Sequence, residues 1–187
     1  MPIDVSAPTV TVNATYGFGS VAHAICADAG SGIDSCTVPD PLETSSAGPT
    51  TIHVHAEDRA GHIFDAYPTY TVTAYSFTGF FSPIMNLPTL NNVNAGSTVP
   101  IKFSLAGFRG FNLFASGYPA SQAMTCAGVV TGPLQRNTLG PDGFVYDPLL
   151  DQYRWHWKTD RNWRGTCRKL VVRLADGSEK RANFRFQ

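Results

Sequence analysis

Three histidines, His53, His55 and His62, stand close together in the sequence. On a β-strand His53 and His55 project from one face, and His62 follows across a turn. Three imidazoles so placed could bind Zn²⁺ or Cu²⁺; an exposed polar strand face places them equally well. Asp28, Asp34, Asp58 and Asp65 could offer hard oxygens to Ca²⁺ from interstrand loops. No EF-hand spacing accompanies them, and Asx turns use the same residues. Ca²⁺ or Zn²⁺ is therefore possible, and no cofactor is required. Lys102 lies between Ile101 and Phe103. It reads either as a solvent-pointing lysine that blunts an edge strand or as one end of an isopeptide to Asn183 or Asp147. The sequence has no G-x-S-x-G, no H-E-x-x-H and only three glutamates, Glu43, Glu57 and Glu179. The expectation is a protein that is not an enzyme.

Cationic residues crowd the C-terminal part: Arg154, His156, Lys158, Arg161, Arg164, Arg168, Lys169, Arg173, Arg181 and Arg185. Arg154, His156, Lys158, Arg173, Arg181 and Arg185 are the candidate contacts for an anionic partner: a cell-wall polymer, a neighbouring protein or a capsid surface. Nucleic acid is disfavoured because Trp155 and Trp157 fall opposite the charges, as a core demands, instead of among them. A solvated sheet face accounts for the same pattern. A carbohydrate-binding accessory module would instead present exposed aromatics, with Phe111, Tyr118 and Trp163 as candidates.

The elements that must carry these residues follow from composition and period. The chain has 187 residues and no net charge, with 17 glycines and 13 prolines. It contains no apolar run of the ~18 residues a membrane helix needs, and no basic–apolar leader opens it. The neutral total hides a division. Residues 1–75 hold eight acids against one base, Arg59, whereas residues 76–187 hold thirteen bases against six acids. Two separately composed domains, 1–75 and 76–187, are expected. Cys26 and Cys36 fall in the first, Cys126 and Cys167 in the second. No C-x-x-C spacing points to zinc or thioredoxin chemistry. Two intradomain disulfides are the economical reading, four buried thiols the alternative. Disulfides would stabilise by about 3 and 4 kcal/mol through loop closure and place the protein outside the cytosol.

Strand signals recur about every ten residues, which reads as an all-β chain of two tandem antiparallel β-sandwiches. Thr9–Val12, Val21–Ala27, Thr50–Glu57 and Tyr67–Tyr75 are the expected strands of the first domain. Residues 76–97 look hinge-like, but Phe77, Phe80 and Phe81 are too apolar for a free linker. In the second domain Val99, Ile101, Phe103 and Leu105 alternate with Pro100, Lys102 and Ser104. Tyr153, Trp155 and Trp157 oppose Arg154, His156 and Lys158. Cys167–Leu174 and Lys180–Phe186 flank Asp176-Gly177-Ser178, a hairpin signal. No segment carries helical periodicity.

Residues 77–186 resemble the PxKF domain of bacterial secreted proteins. The matching stretches are F-T-G-F-F-S-P at 77–83, N-A-G-S-T-V-P-I-K-F-S-L at 94–105 and Gly117-Tyr118-Pro119. Cys126, Tyr153, W-K-T-D at 157–160, W-R-G-T-C-R-K-L-V-V-R-L at 163–174 and R-A-N-F-R-F at 181–186 complete them. The preceding part resembles bacterial Ig-like repeats, through A-P-T-V at 7–10, C-A-D-A-G-S-G-I-D-S-C at 26–36 and A-E-D-R-A-G-H at 56–62. The resemblance implies a modular, exported, β-rich structural or adhesive appendage on a bacterial surface or virion, and supplies no catalytic residues. It frames two origins for the chain, a fragment with an added Met1 or a phage virion protein.

Overall fold

The computed structural model describes residues 3–187, with the side chains of 138–142 outside that description; Met1 lies outside it too. The chain divides into two compact units, one ending at Ala74 and one running from Tyr75 to Gln187. Both are almost entirely β.

In the first unit the strands are short because turn-forming Gly, Pro, Asp and Ser interrupt every apolar alternation. They are β1 (Thr9–Thr11), β2 (Thr15–Gly17), β3 (Ile25–Ala27), β4 (Ile33–Thr37), β5 (Gly48–Thr51), β6 (Val54–Asp58), β7 (Ile63–Ala66) and β8 (Thr69–Thr73). They form three small sheets, β1-β3, β2-β8-β5 and β4-β6-β7, where two were expected. The expected strand Val21–Ala27 shrinks to β3. Upstream of it, Ala22 is held by one backbone bond, its carbonyl accepting Leu42 N at 2.8 Å, while Val21 stays exposed. The expected strand Thr50–Glu57 is two strands of different sheets: the pairing with β8 ends with Ile52 N donating to Pro68 O at 3.1 Å, and β6 begins at Val54 in another sheet. Ile52, Val54, Tyr70 and Val72 share the core. Tyr70 is fully buried and its hydroxyl donates to Glu43 O at 2.8 Å, the partner a buried phenol needs.

The second unit contains β9 (Thr78–Phe80), β10 (Leu90–Val93), β11 (Thr98–Ser104), β12 (Ala120–Met124), β13 (Val130–Arg136), β14 (Thr138–Asp147), β15 (Gln152–Lys158), β16 (Cys167–Arg173) and β17 (Glu179–Phe186). One sheet runs β14-β15-β11-β9, the other β10-β17-β16-β12-β13. Both supply one core: Ile101, Phe103 and Trp155 from the first, Leu170, Val172 and Phe184 from the second. Trp157 meets Phe184 edge to face across it, ring centroids 5.2 Å apart. Alternation puts Tyr153, Trp155 and Trp157 inside, all fully buried.

Three features depart from the sequence reading: two parallel strand pairs, the inner position of Lys102 and a 3-10 turn. The pairs β2–β8 and β10–β17 are parallel, so the sheets are not antiparallel throughout. Residues 76–97 belong to the second unit: Phe80 is buried in its core and Phe77 packs on Phe103, centroids 5.5 Å apart. The asparagines there act as surrogate strands. Asn86 exchanges bonds with the Phe80 backbone (2.7 and 3.1 Å), and Asn91 with the Met85 backbone (2.8 and 3.0 Å). Lys102 lies on β11, an inner strand with β15 and β9 on either side, so it blunts no edge. Among the described residues one 3-10 turn, Arg161–Trp163, interrupts the strands.

Candidate functional site

Both disulfides are intradomain: Cys26–Cys36 in the first unit, Cys126–Cys167 in the second. Each joins neighbouring segments of its own unit, the second just beyond the pairing of Met124 with Cys167.

The three histidines do not converge. His55 Nδ1 donates to Asp65 Oδ2 at 2.9 Å and His53 Nε2 reaches the same oxygen at 3.1 Å. The His53 ring also stacks on Tyr67, centroids 4.7 Å apart. Bonds from His55 and His53 hold the Asp65 carboxyl below its usual range. His62 instead donates from Nδ1 to Asp58 Oδ2 at 2.8 Å. The reason is the pleat: Asp58 shares the buried face of β6 with Val54 and Ala56, while His55 is on the other face. Asp58 also accepts the amides of Ala60 and His62 at 2.8 and 2.9 Å. Burial works against its charge, but the His62 and Ala60 bonds outweigh it and lower the pKa. The expected Ca²⁺ set does not assemble either. Asp28 caps its own loop through the amides of Gly30 and Gly32, and Asp34 is exposed. Among the described residues, Asp4, Asp58 and His62 are the group with potential ligand atoms within 4.8 Å of one another. Each already serves a turn: Asp4 Oδ2 accepts Ser31 N at 2.6 Å.

The cationic residues do not form one stripe. Arg154, His156 and Lys158 lie on β15 in one sheet, Arg173, Arg181 and Arg185 on β16 and β17 in the other. Because both apolar faces turn to the shared core, the polar faces look away from each other. Arg181 is paired to Glu179 at 2.5 Å. Lys102 and Asp147 line one cleft with Arg154, whereas Asn183 lies in the opposite sheet. Arg168 faces inward in phase with Leu170 and Val172 and is buried. It bonds Ser121 Oγ at 3.3 Å and Gln135 Oε1 at 2.5 Å, and its guanidinium covers the Trp163 ring at 4.1 Å. Burial lowers its pKa, with Asp160 opposing.

Ser121, Gln135 and Trp163 are also walls of a cleft of about 750 Å³. Its local construction is legible residue by residue. Thr159 is buried and its hydroxyl donates to Ser97 O at 2.6 Å. Asp160 then caps the 3-10 turn by accepting Asn162 N at 2.8 Å. Thr166 Oγ1 donates to Trp163 O at 2.6 Å. Gly96, at φ +77°, is where Arg161 crosses the backbone: a Cβ there would lie 2.3 Å from Arg161 Cγ. Arg136, Lys158 and Arg161 bring three cations to this cleft against one carboxylate, Asp160.

A second cleft, about 460 Å³, is lined by Phe111, Phe114, Tyr118 and Pro119 and shares Arg136 and Asn137 with the first. Phe111 is exposed, Tyr118 and Trp163 are half-buried. Asn137 is 93 % buried, from a relative exposure of 7 %, and neither its Oδ1 nor its Nδ2 has a hydrogen-bond partner. Sequence reasoning missed Asn137 altogether, since an amide between two strands carries no periodic signal. It counted Arg168 among the surface cations. A further polar hub, Asp151, accepts Ser104 Oγ and Tyr146 OH at 2.7 Å each. That bond pushes the Tyr146 hydroxyl up to about 12.

Fold and disulfides together define a disulfide-stapled, all-β two-unit module. No family model and no curated protein matches the chain. Among solved structures it is similar to the Bacteroides ovatus mixed-linkage glucan utilization locus protein SGBP-B in complex with a mixed-linkage heptasaccharide, at 13 % identity and TM-score 0.27. That match covers 96 % of this chain and 47 % of the other, so the chain spans about half the length of that protein. It is also similar to the C-terminal domain of the Streptococcus agalactiae AgI/II polypeptide BspA, at 13 % identity and TM-score 0.25, over 78 % of this chain and 61 % of that one.

Proposed function

We propose that the chain is a non-enzymatic structural and adhesive module on the outside of a bacterial cell or virion, its second unit a PxKF-type domain and its first an Ig-like repeat. The observation that carries this reading is that each unit is closed by its own disulfide, a device of oxidising compartments. The carboxylates support it: Asp28, Asp58, Asp151 and Asp176 are all engaged in bracing turns and loops. Rigid strands would fix the geometry while clefts and outer faces meet a partner. Retention of the purified chain by intact bacterial cells, measured by sedimentation and immunoblot, is the test. Binding that survives washing is expected. A chain that neither sediments with cells nor labels on the surface of its producer, or that is isolated with four reduced thiols, overturns the reading.

A second reading, an accessory module that binds carbohydrate, is favoured by a separate observation. Phe111, Tyr118 and Trp163 all stay at least partly open, Trp163 lining the first cleft and Phe111 and Tyr118 the adjoining second, with Arg136 and Asn137 in both walls. Small-molecule sites combine such apolar walls with a few polar groups. Chain retention on immobilised glycans tests it, and loss of retention on Phe111→Ala and Tyr118→Ala is the expected result.

A further inference from the structure

The groups around the two joined clefts are unevenly used. Elsewhere in the second unit Asn91 makes three bonds, Arg168 three and Asp151 three, while one atom each of Trp155, Trp157, Ser178 and Asn183 is buried without a partner. Asn137, in the wall common to both clefts, makes none from its side chain, although its backbone N–H is satisfied by Pro119 O at 2.9 Å. A buried amide without partners is a standing cost to the folded protein. Such a group calls for an explanation, and a water, ion or ligand that completes it is one. A primary amide offers one acceptor and two donors, which is the complement of adjacent sugar hydroxyls.

Charge narrows the class. Arg136, Lys158 and Arg161 outnumber Asp160 around the first cleft. Arg136 stands beside Asn137 in the shared wall, and a guanidinium pairs with a planar carboxylate through two parallel bonds. The second cleft supplies Phe111, Phe114 and Tyr118, apolar surface suited to the C–H face of a pyranose. A nucleic acid fits less well, because Phe111, Phe114 and Tyr118 lie in one cleft and the cations chiefly in the other, where Trp163 is the one aromatic among the lining residues, so charges and rings do not alternate as stacked bases need.

We propose that the two clefts joined at Arg136 and Asn137 form one binding site for an acidic oligosaccharide. Arg136, Lys158 and Arg161 meet its carboxylates, the Asn137 amide its hydroxyls, and Phe111 and Tyr118 its apolar sugar face. This rests on the carbohydrate-binding reading above. Arg168, through Ser121, Gln135 and Trp163, positions the wall of the first cleft without touching the ligand.

The test is calorimetric titration of the full chain with hexagalacturonate, its methyl ester, a neutral mixed-linkage glucan hexasaccharide and a single-stranded oligonucleotide. Thermal melts of each variant are recorded alongside. Hexagalacturonate is expected to bind, and the methyl ester about tenfold or more weakly, since the charge-assisted bonds are lost. Arg136→Ala and Asn137→Leu are each expected to weaken binding about tenfold. Asn137→Leu is further expected to leave the melting temperature of the free protein unchanged or higher, because it removes an unpartnered amide. A structural asparagine would show the reverse, a lower melting temperature with unchanged affinity, and that result overturns the proposal. So do equal affinity for the methyl ester and equal affinity for the oligonucleotide. If the neutral glucan binds and hexagalacturonate does not, the acidic class falls while the carbohydrate reading stands. If no glycan binds at millimolar concentration, both fall.

Discussion

The guanidinium of Arg168 lies over the indole of Trp163, its central carbon 4.1 Å from the ring centroid, on the inward face of β16 in phase with the apolar Leu170 and Val172. Its stem joins the packing, and its head spans from Ser121 and Gln135 to the aromatic ring. A delocalised, weakly hydrated cation suits such a place better than an ammonium.

Replacing Arg168 should therefore destabilise the second unit even when the substitute is apolar. Arg168→Leu is expected to cost about 1–3 kcal/mol by leaving Ser121 and Gln135 unpaired and uncovering Trp163. Arg168→Lys should recover only part of that, because lysine cannot reproduce the planar fork. Urea unfolding followed by tryptophan fluorescence measures both. Equal stability of wild type and Arg168→Lys would refute the stacked, forked role.

Reduction should act on the two units separately. The cysteine separations are 10 and 41 residues. Loop-closure entropy then assigns about 3 kcal/mol to Cys26–Cys36 and about 4 kcal/mol to Cys126–Cys167. A Cys126→Ala/Cys167→Ala chain should lose the larger amount, with the difference read from denaturant midpoints. Peptide mapping without reductant should recover only crosslinks within a unit.

Acid should weaken the first unit through Asp65. Its folded pKa is depressed by the bonds from His55 and His53. The stabilisation is therefore fully present above the unfolded aspartate value of ~3.9 and is lost as pH falls through the lower folded value. Asp65→Asn removes this contribution, so the stability gap between wild type and variant should be widest near neutral pH and close in strong acid. A gap that grows on acidification would contradict the sign.

Phe103 and Lys102 are adjacent on β11 and should respond very unequally to truncation. Phe103 is fully buried and stacks with Tyr153 and Phe77, centroids 5.4 and 5.5 Å away. Phe103→Ala should cost about 3–5 kcal/mol by transfer and cavity terms. Lys102 is half-exposed on the outer face, and Lys102→Ala should stay within about 0.5 kcal/mol. Chemical denaturation of the two variants decides it.

Much of this was legible in the chain itself. Period-two alternation put Tyr153, Trp155 and Trp157 on one side of β15 and Phe184 and Phe186 on one side of β17, and the structure buries all five. Asp-Gly-Ser between two apolar runs marked the β16–β17 hairpin, and cysteine spacing left intradomain pairing as the economical choice. These are local properties, decided by the pleat and by turn chemistry within a few residues. The phase of Arg168 was legible as well, since it alternates with Leu170, Val172 and Leu174; charge alone suggested the surface.

Other features depend on which strand lies beside which. His53 and His55 gather at Asp65 while His62 goes to Asp58, because β6 offers its two faces to different neighbours. The cations of β15 and of β16–β17 part company because their sheets face each other across one core. Asn137 acquires meaning only when β13, β14 and the Gly117–Pro119 turn leave its amide unpartnered between two clefts. Alternation determines which side of a strand is apolar. What stands opposite that side is set by long-range pairing, and hydrogen-bond partners and clefts follow from that pairing alone.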